Sequence, residues 1–498
     1  MELSSGRVKK TGFLTLTLLF LVGILAGCAQ PQPTVQIPLF KPTTEPTIST
    51  NPSTPFPSRP IYPPGTLVDY TAQDGDTMIS LASHFNTSVE EIIAANPLIP
   101  ATITTLQVGT QMKIPIYYKA LWGSQFQIIP DSLFINGPAQ IGFDTRAYVN
   151  STPGWLKYYS AFAGDLMRTG GELVDYVAQT FSISPRLLLA VAEYQAGALT
   201  DPTLDEDLVD YTLGYVDQYH KGFYLQLVWA AGQLNDGYYK WRNGRLEVIN
   251  RTDGTMEVPD PWQNAATVAL QYYFSQKLSY PDYIRAIYED GLSRTYTLLF
   301  GDPWQNVVPH IPGNLQQPDL TLPFSPGKKW AYTGGPHSVW GEGEPYGALD
   351  FAPPSTVGGC APTDEFVVAM APGRIVRAEP AIAVLDLDMD GDERTGWVIF
   401  YLHLGLNDLV RQGTLVKTGD TIGHPSCEGG EATGTHIHIA RKFNGEWVDA
   451  DSAIPFNMEG WIAKNGAAPY LGTLTRFNNI VTASESASGS SAITAGLK

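Results

Sequence analysis

Cysteine is scarce in this chain, and so is charge. Three Cys occur in 498 residues, only 16% of residues are charged, and 31 Lys+Arg face 49 Asp+Glu, for a formal net charge of −18. So few thiols exclude a disulfide-dense mini-scaffold. The shortage of cations argues against phosphate backbones, so nucleic acid is not an expected partner. The apolar run Phe13–Leu25 is shorter than the about 20 residues a membrane span needs. What the chain does have is 43% hydrophobic and 11% aromatic residues, enough for real cores, which excludes global disorder. At roughly 150 residues per domain, the length predicts about three domains with connecting segments. The 38 Pro and 48 Gly point to where those connections lie.

The amino terminus reads as an export segment. Arg7, Lys9 and Lys10 precede the apolar run, which ends in Leu25-Ala26-Gly27-Cys28. This resembles the bacterial lipoprotein signal, and the resemblance implies cleavage before a lipid-modified Cys28 and anchoring to the outer face of a membrane. Residues 29–64 carry closely spaced prolines among Thr and Ser, the composition of an extended spacer of roughly 100 Å at about 3.1 Å per residue. With Cys28 assigned to lipid and the chain exported, Cys360 and Cys427 remain as a pair, bridged or as buried free thiols. A bridge closing that loop would contribute about 4 kcal/mol.

Residues 65–117 form a compact unit. Tyr70-Thr71-Ala72-Gln73-Asp74-Gly75-Asp76-Thr77 precedes the helical pattern Met78, Ile79, Leu81, Ala82, Phe85. A second helical stretch carries Val89, Ile92, Ile93 and Ala94 and ends at Asn96-Pro97, and Leu106–Pro115 closes the unit. Asp76 or Thr77 suits the first cap, Thr87 or Ser88 with Glu90 and Glu91 the second. The pattern resembles a LysM module, which implies a β-α-α-β fold that binds N-acetylglucosamine-containing glycans.

Residues 118–306 read as mostly helical, with an apolar face at Leu173, Val174, Val177, Ala178 and Phe181 and a helix opened by Pro185. Further helices are expected over about 209–235 and 262–298. Pro185–Gly197 weakly resembles the catalytic helix of lysozyme-like lytic transglycosylases, but Gln195 stands where those have an acidic Glu, and Glu193 lies on another helical face. Gln cannot donate a proton as a carboxylic acid does, so either this domain is a non-catalytic relative or the resemblance is accidental, and no glycan cleavage is expected from it. A linker over 307–327, a β-rich domain over 328–470 and a low-complexity tail over 471–498 complete the reading.

In the β-rich region, Gly434-Thr435-His436-Ile437-His438-Ile439 puts two imidazoles on one face of a strand, with the Ile residues turned to a core. His403 ends a second strand in Tyr401-Leu402-His403. Asp350 adds a carboxylate and Gly334-Gly335-Pro336-His337 an imidazole. Two imidazoles, one carboxylate and a water make a catalytic zinc site with an open position. The set resembles the LAS-type zinc endopeptidases of family M23, the lysostaphin and β-lytic group, which cut peptidoglycan peptides. In the commonest form of that family a ligand His sits four residues before the Asp, where this chain has Tyr346. The β-lytic subgroup has its His in Gly-Gly-Pro-His, as at His337, and carries Cys-Glu-Gly-Gly ahead of its His-x-His, as at Cys427–Gly430. The resemblance implies His337, Asp350 and His438 as Zn2+ ligands and His403 and His436 as catalytic residues. His84, His220, His310 and His424 read as surface or core residues. Asp386-Leu387-Asp388-Met389-Asp390-Gly391-Asp392 has the look of a calcium loop, but Trp397 stands where an EF-hand needs Glu, so a tight Asp-Gly hairpin turn is preferred.

The expected protein is thus a multi-domain α+β chain: LysM module, helical middle domain and antiparallel β-rich peptidase. It would be lipid-anchored in the cell envelope, held on glycan and cutting peptidoglycan peptides. The rival is a non-catalytic envelope scaffold or activator of other wall hydrolases. Oligomeric state is not legible.

Overall fold

The computed structural model describes residues 59–117 and 122–496. Cys28, the export segment and the spacer as far as residue 58 lie outside the described residues.

Strand β1 (Thr66–Thr71) pairs antiparallel with β2 (Gln111–Ile116), and α1 (Met78–His84) and α2 (Val89–Ala95) lie between them in sequence. Alternation of exposed residues with buried Val68 and Tyr70 makes β1 a half-buried strand. Thr77 caps α1 in a capping box with Ser80, and Ser88 caps α2 by accepting from the Glu91 N–H. Asp76 does not cap. It is buried and accepts from Tyr70 Oη and the Gln73 N–H, each at 2.7 Å.

The middle region contains α3 (Asp131–Phe134), α4 (Thr145–Ser151), a hairpin of β3 (Ser160–Ala163) and β4 (Leu166–Thr169), α5 (Gly170–Phe181) and α6 (Pro185–Ala196). There follow α7 (Phe223–Arg242), the short pair β5 (Ile249–Asn250) and β6 (Met256–Glu257), α8 (Ala265–Ser275), α9 (Tyr280–Ala286) and α10 (Arg294–Phe300). Helices α7 and α8 touch so closely at Gly237 that a Cβ there would lie 2.8 Å from Ala269 Cα. The helix expected from 209 begins only at Phe223. Gly214 and Gly222 hold left-handed φ, and Asp217 turns its side chain back onto the Tyr219 N–H, so the segment before α7 is a loop.

The C-terminal region holds a mainly antiparallel sheet. Its strands are β7 (Lys329–His337), β8 (Ala348–Ala352), β10 (Gly373–Glu379), β11 (Ile382–Asp386), β12 (Trp397–Leu402), β13 (Leu415–Val416), β15 (Ile437–Phe443) and β16 (Glu446–Trp447). They run in the order β13-β10-β11-β12-β15-β8-β7, with β16 on β15. β9 (Val367–Val368) pairs with β14 (Thr421–Gly423) beside it.

Two expected boundaries need correction. The segment 471–498 is not a loose tail: β19 (Gly472–Arg476) and β20 (Asn479–Thr482) join β17 (Asn457–Met458) and β18 (Trp461–Asn465) in a second sheet, and β21 (Ala492–Thr494) adds to β7. Leu474, Val481 and Ile493 are buried, which holds the small-residue stretch in place. Nor is 307–327 a free linker. Leu320, Leu322 and Phe324 alternate into the core of the C-terminal region, and Phe324 stacks on Trp330 at 4.8 Å.

The main C-terminal sheet has two buried faces. Leu349, Phe351, Ile399, Tyr401, Ile437 and Ile439 pack into one core. Val384, Val398, Phe400, Leu402 and Ala440 on the opposite face belong to the core of the helical region. The helices therefore cover the face from which Asp350 and His438 project, farther along the same strands.

A buried ionic cluster joins the three regions. His310 lies 2.7 Å from both Asp74 and Glu446, and Arg242 pairs with Glu446 at 2.9 Å and Asp131 at 3.3 Å. Burial alone would lower the His310 pKa, but the two carboxylates raise it to about 10. Burial likewise opposes ionisation of Asp74, yet His310 brings it down to about 2. The contribution of His310 to stability is complete below its ordinary 6.5 and lost as pH rises through about 10. That of Asp74 is present above 3.8 and lost as pH falls through about 2. His310→Ala, by leaving the two carboxylates underpaired, is expected to cost about 3–5 kcal/mol. Urea titrations across pH would check this: the variant should lose the alkaline fall in stability that wild type shows.

Candidate active site

His337 ends β7, Asp350 lies in the middle of β8 and His438 in β15, and β8 is hydrogen-bonded to both other strands with Asp350 directly opposite His438. All three are buried. The Nδ1 of His337 donates to the Gly335 carbonyl at 2.8 Å, and the Nε2 of His438 donates to the Val339 carbonyl at 3.1 Å. Each ring's proton is thus committed to backbone, and its other nitrogen turns inward as a lone pair. The two inward nitrogens are 3.1 Å apart and lie 3.4 and 3.3 Å from Asp350 Oδ1, which has no hydrogen-bond donor. One ligand atom from each residue falls within 4.8 Å of the others. Three electron-pair donors converging without a proton between them fit a divalent cation, and a buried carboxylate left so is otherwise costly.

Two further imidazoles face this cluster. His403 follows β12 with φ of +67°, a conformation uncommon outside glycine, and its Nδ1 donates to the Glu428 carbonyl at 2.7 Å. His436 immediately precedes β15. Its Nδ1 donates to the Gly434 carbonyl at 2.7 Å, and its Nε2 is 3.9 Å from Asp350 Oδ1. The His403 and His436 rings are 4.5 Å apart. Both therefore present Nε2 as the free nitrogen.

Burial and the neighbouring His436 push the His403 pKa down to about 4, which keeps it neutral and able to accept a proton. Burial also lowers that of His438, against the opposing pull of Asp350.

The site opens into a cleft of about 1240 Å³. Cys360 and Cys427 are bonded, with Cα atoms 5.7 Å apart. The bond ties the loop 353–364 to the segment preceding His436, and both line or border the cleft. Tyr470, which sequence reasoning passed over, stacks on His337 at 4.1 Å and lines the same cleft. It lies in a turn with no motif of its own, so no local pattern pointed to it.

Tyr346 stays outside the cleft, its ring 5.8 Å from the Arg245 guanidinium. Tyr346→His is therefore expected to leave peptidase activity unchanged or lower, measured as turnover with metal content. Gln195 accepts from the half-buried Lys277 amine at 2.6 Å, and Glu193 accepts from Leu199 and Thr200, so both residues have structural partners. His84 stacks on Trp241, and His424 bonds to the Glu365 carbonyl. Asp386, Asp388 and Asp390 cluster in the connection between β11 and β12, which at residues 387–396 is longer than a tight hairpin turn, and Asp386 accepts the loop's own N–H groups.

The site belongs to a metallo-endopeptidase: residues 357–450 match the model for peptidase family M23. Residues 70–115 match the LysM domain and residues 127–314 the N-terminal domain of LasA, which makes the chain a peptidoglycan-related peptidase. It is similar to Protease LasA of Pseudomonas aeruginosa, 25% identical over 345 residues that cover 65% of this chain and 75% of that protein. Among solved structures, the deep-sea M23 metalloprotease pseudoalterin is 26% identical, with 34% of this chain and 96% of that one covered and a TM-score of 0.29. The catalytic domain of lysostaphin from Staphylococcus simulans is 27% identical, with 25% and 89% covered and a TM-score of 0.18. No helix among the described residues is long and apolar enough to cross a membrane.

Proposed function

We propose that the chain is a zinc endopeptidase that hydrolyses peptide bonds of peptidoglycan, held on glycan by its LysM module and tethered to a membrane through acylated Cys28. The observation that carries this reading is the convergence of three proton-free donors, His337, Asp350 and His438, on one point beneath an open cleft. A Zn2+ ion held there would supply Lewis-acid polarisation of the scissile carbonyl and lower the pKa of a bound water. His403 and His436 present Nε2 lone pairs towards that point. One takes the proton of the attacking water and returns it to the leaving amine, and the other steadies charge on the carbonyl oxygen. The hydrogen bonds from Nδ1 to Glu428 and Gly434 fix both tautomers and ring orientations. The disulfide keeps the cleft walls in register, so the peptide is positioned by a stiff frame.

Insoluble peptidoglycan separates residence from cutting. Chelator-treated protein should co-sediment with it and release nothing, while zinc-loaded protein should release soluble peptides with new amino termini. Failure to co-sediment removes the anchoring role, and zinc-loaded protein that releases no peptides removes the peptidase role. In cells, Cys28→Ser should move the protein from the membrane to the soluble fraction.

A further inference from the structure

We propose that the cleft selects peptides carrying an unblocked ammonium group beside the bond to be cut. This deepens the peptidase reading and rests on it. The cleft walls carry the carboxylates Asp364, Glu431 and Glu485, and among the described residues no Lys or Arg lines it. All three are exposed, and among the described residues none has a hydrogen-bond or ion-pair partner. The adjacent carboxylate Glu365, by contrast, is paired, meeting Lys328 at 2.8 Å. The cleft is marked as a site independently of these acids, by the imidazoles and the donorless Asp350 oxygen at its floor.

The three carboxylates do not form a second chelate. Among the described residues the groups close enough to share an ion are His337, Asp350 and His438, and Asp386, Asp388 and Asp390. Asp364, Glu431 and Glu485 line the walls without forming such a group, so they act as a field rather than a ligand cage. A cleft walled by one sign of charge concentrates substrates of the other sign. Exposed pairs are individually weak, so two or three acting together should give about tenfold selectivity.

The ammonium has two sources, a peptide amino terminus or the side chain of a diamino acid. Four synthetic peptides of one peptidoglycan stem sequence distinguish them, with both amines free, either one acetylated, or both. With the full zinc-loaded chain at low salt, kcat/KM should be about tenfold higher for the preferred free-amine peptide than for the doubly acetylated one, mostly through KM. The ratio should shrink towards one in E431Q/E485Q and at about 0.5 M salt. Equal kcat/KM for all four peptides in wild type, or a preference that survives E431Q/E485Q, would overturn the inference and leave the peptidase reading standing. No cleavage of any peptide would overturn both.

Discussion

His438→Ala is expected to abolish metal binding and peptidase activity together. The side chain supplies one of three donors, and the two left behind, His337 and Asp350, make a poor site. The loss goes beyond one bond. His438 also holds the Val339 carbonyl through Nε2, at the start of the loop that connects His337 to β8. Asp350→Asn tests the same point more gently, because it keeps the shape and removes the negative charge that a divalent cation needs beside two neutral imidazoles. It should bind zinc weakly and turn over below detection. Metal content by mass spectrometry, beside peptide release, checks both variants. A variant that keeps full zinc would show that the ion sits elsewhere.

His403→Ala and His436→Ala are the second test, and their signature differs. Neither nitrogen belongs to the buried triad, so zinc should remain bound while kcat falls by about 10²–10⁴, the usual range for general acid–base catalysis. KM should change little, since neither ring walls the cleft away from the reacting centre. The double variant should be scarcely worse than the worse single one if the two rings act as a unit. Loss of zinc from either would move that residue from proton transfer to metal binding.

The site was legible in the sequence where chemistry and local period coincide. His436-Ile437-His438 announces a strand with imidazoles on one side, and Ile437 and Ile439 do enter the core. Gly-Gly-Pro-His and Asp350 stood out as residue types that a bland core does not use. The compact 65–117 unit was legible because its caps and apolar periods are local. What escaped depends on distant contacts. Tyr470 meets His337 across more than a hundred residues, and nothing in Ala468-Pro469-Tyr470-Leu471 signals it. Leu320, Leu322 and Phe324 do alternate, but the surrounding prolines made the segment read as a connector. The strands after 471 carry apolar residues such as Leu474, Val481 and Ile493, but a Ser/Ala/Gly-rich stretch around them made the segment read as a tail, and their pairing partners β7 and β18 lie elsewhere in the sequence. The apolar face of β12 pointed to burial without saying that helices from another region do the burying.

The central claim is that three donors at the cleft floor bind one catalytic zinc. Metal-free protein titrated with Zn2+, with bound metal and peptide release followed in the same samples, tests it most directly. The account predicts that release from peptidoglycan rises in proportion to bound zinc and levels off at one ion per chain, and that His438→Ala shows neither. Zinc bound at that ratio without any peptide release, or full release by metal-free protein, would contradict it.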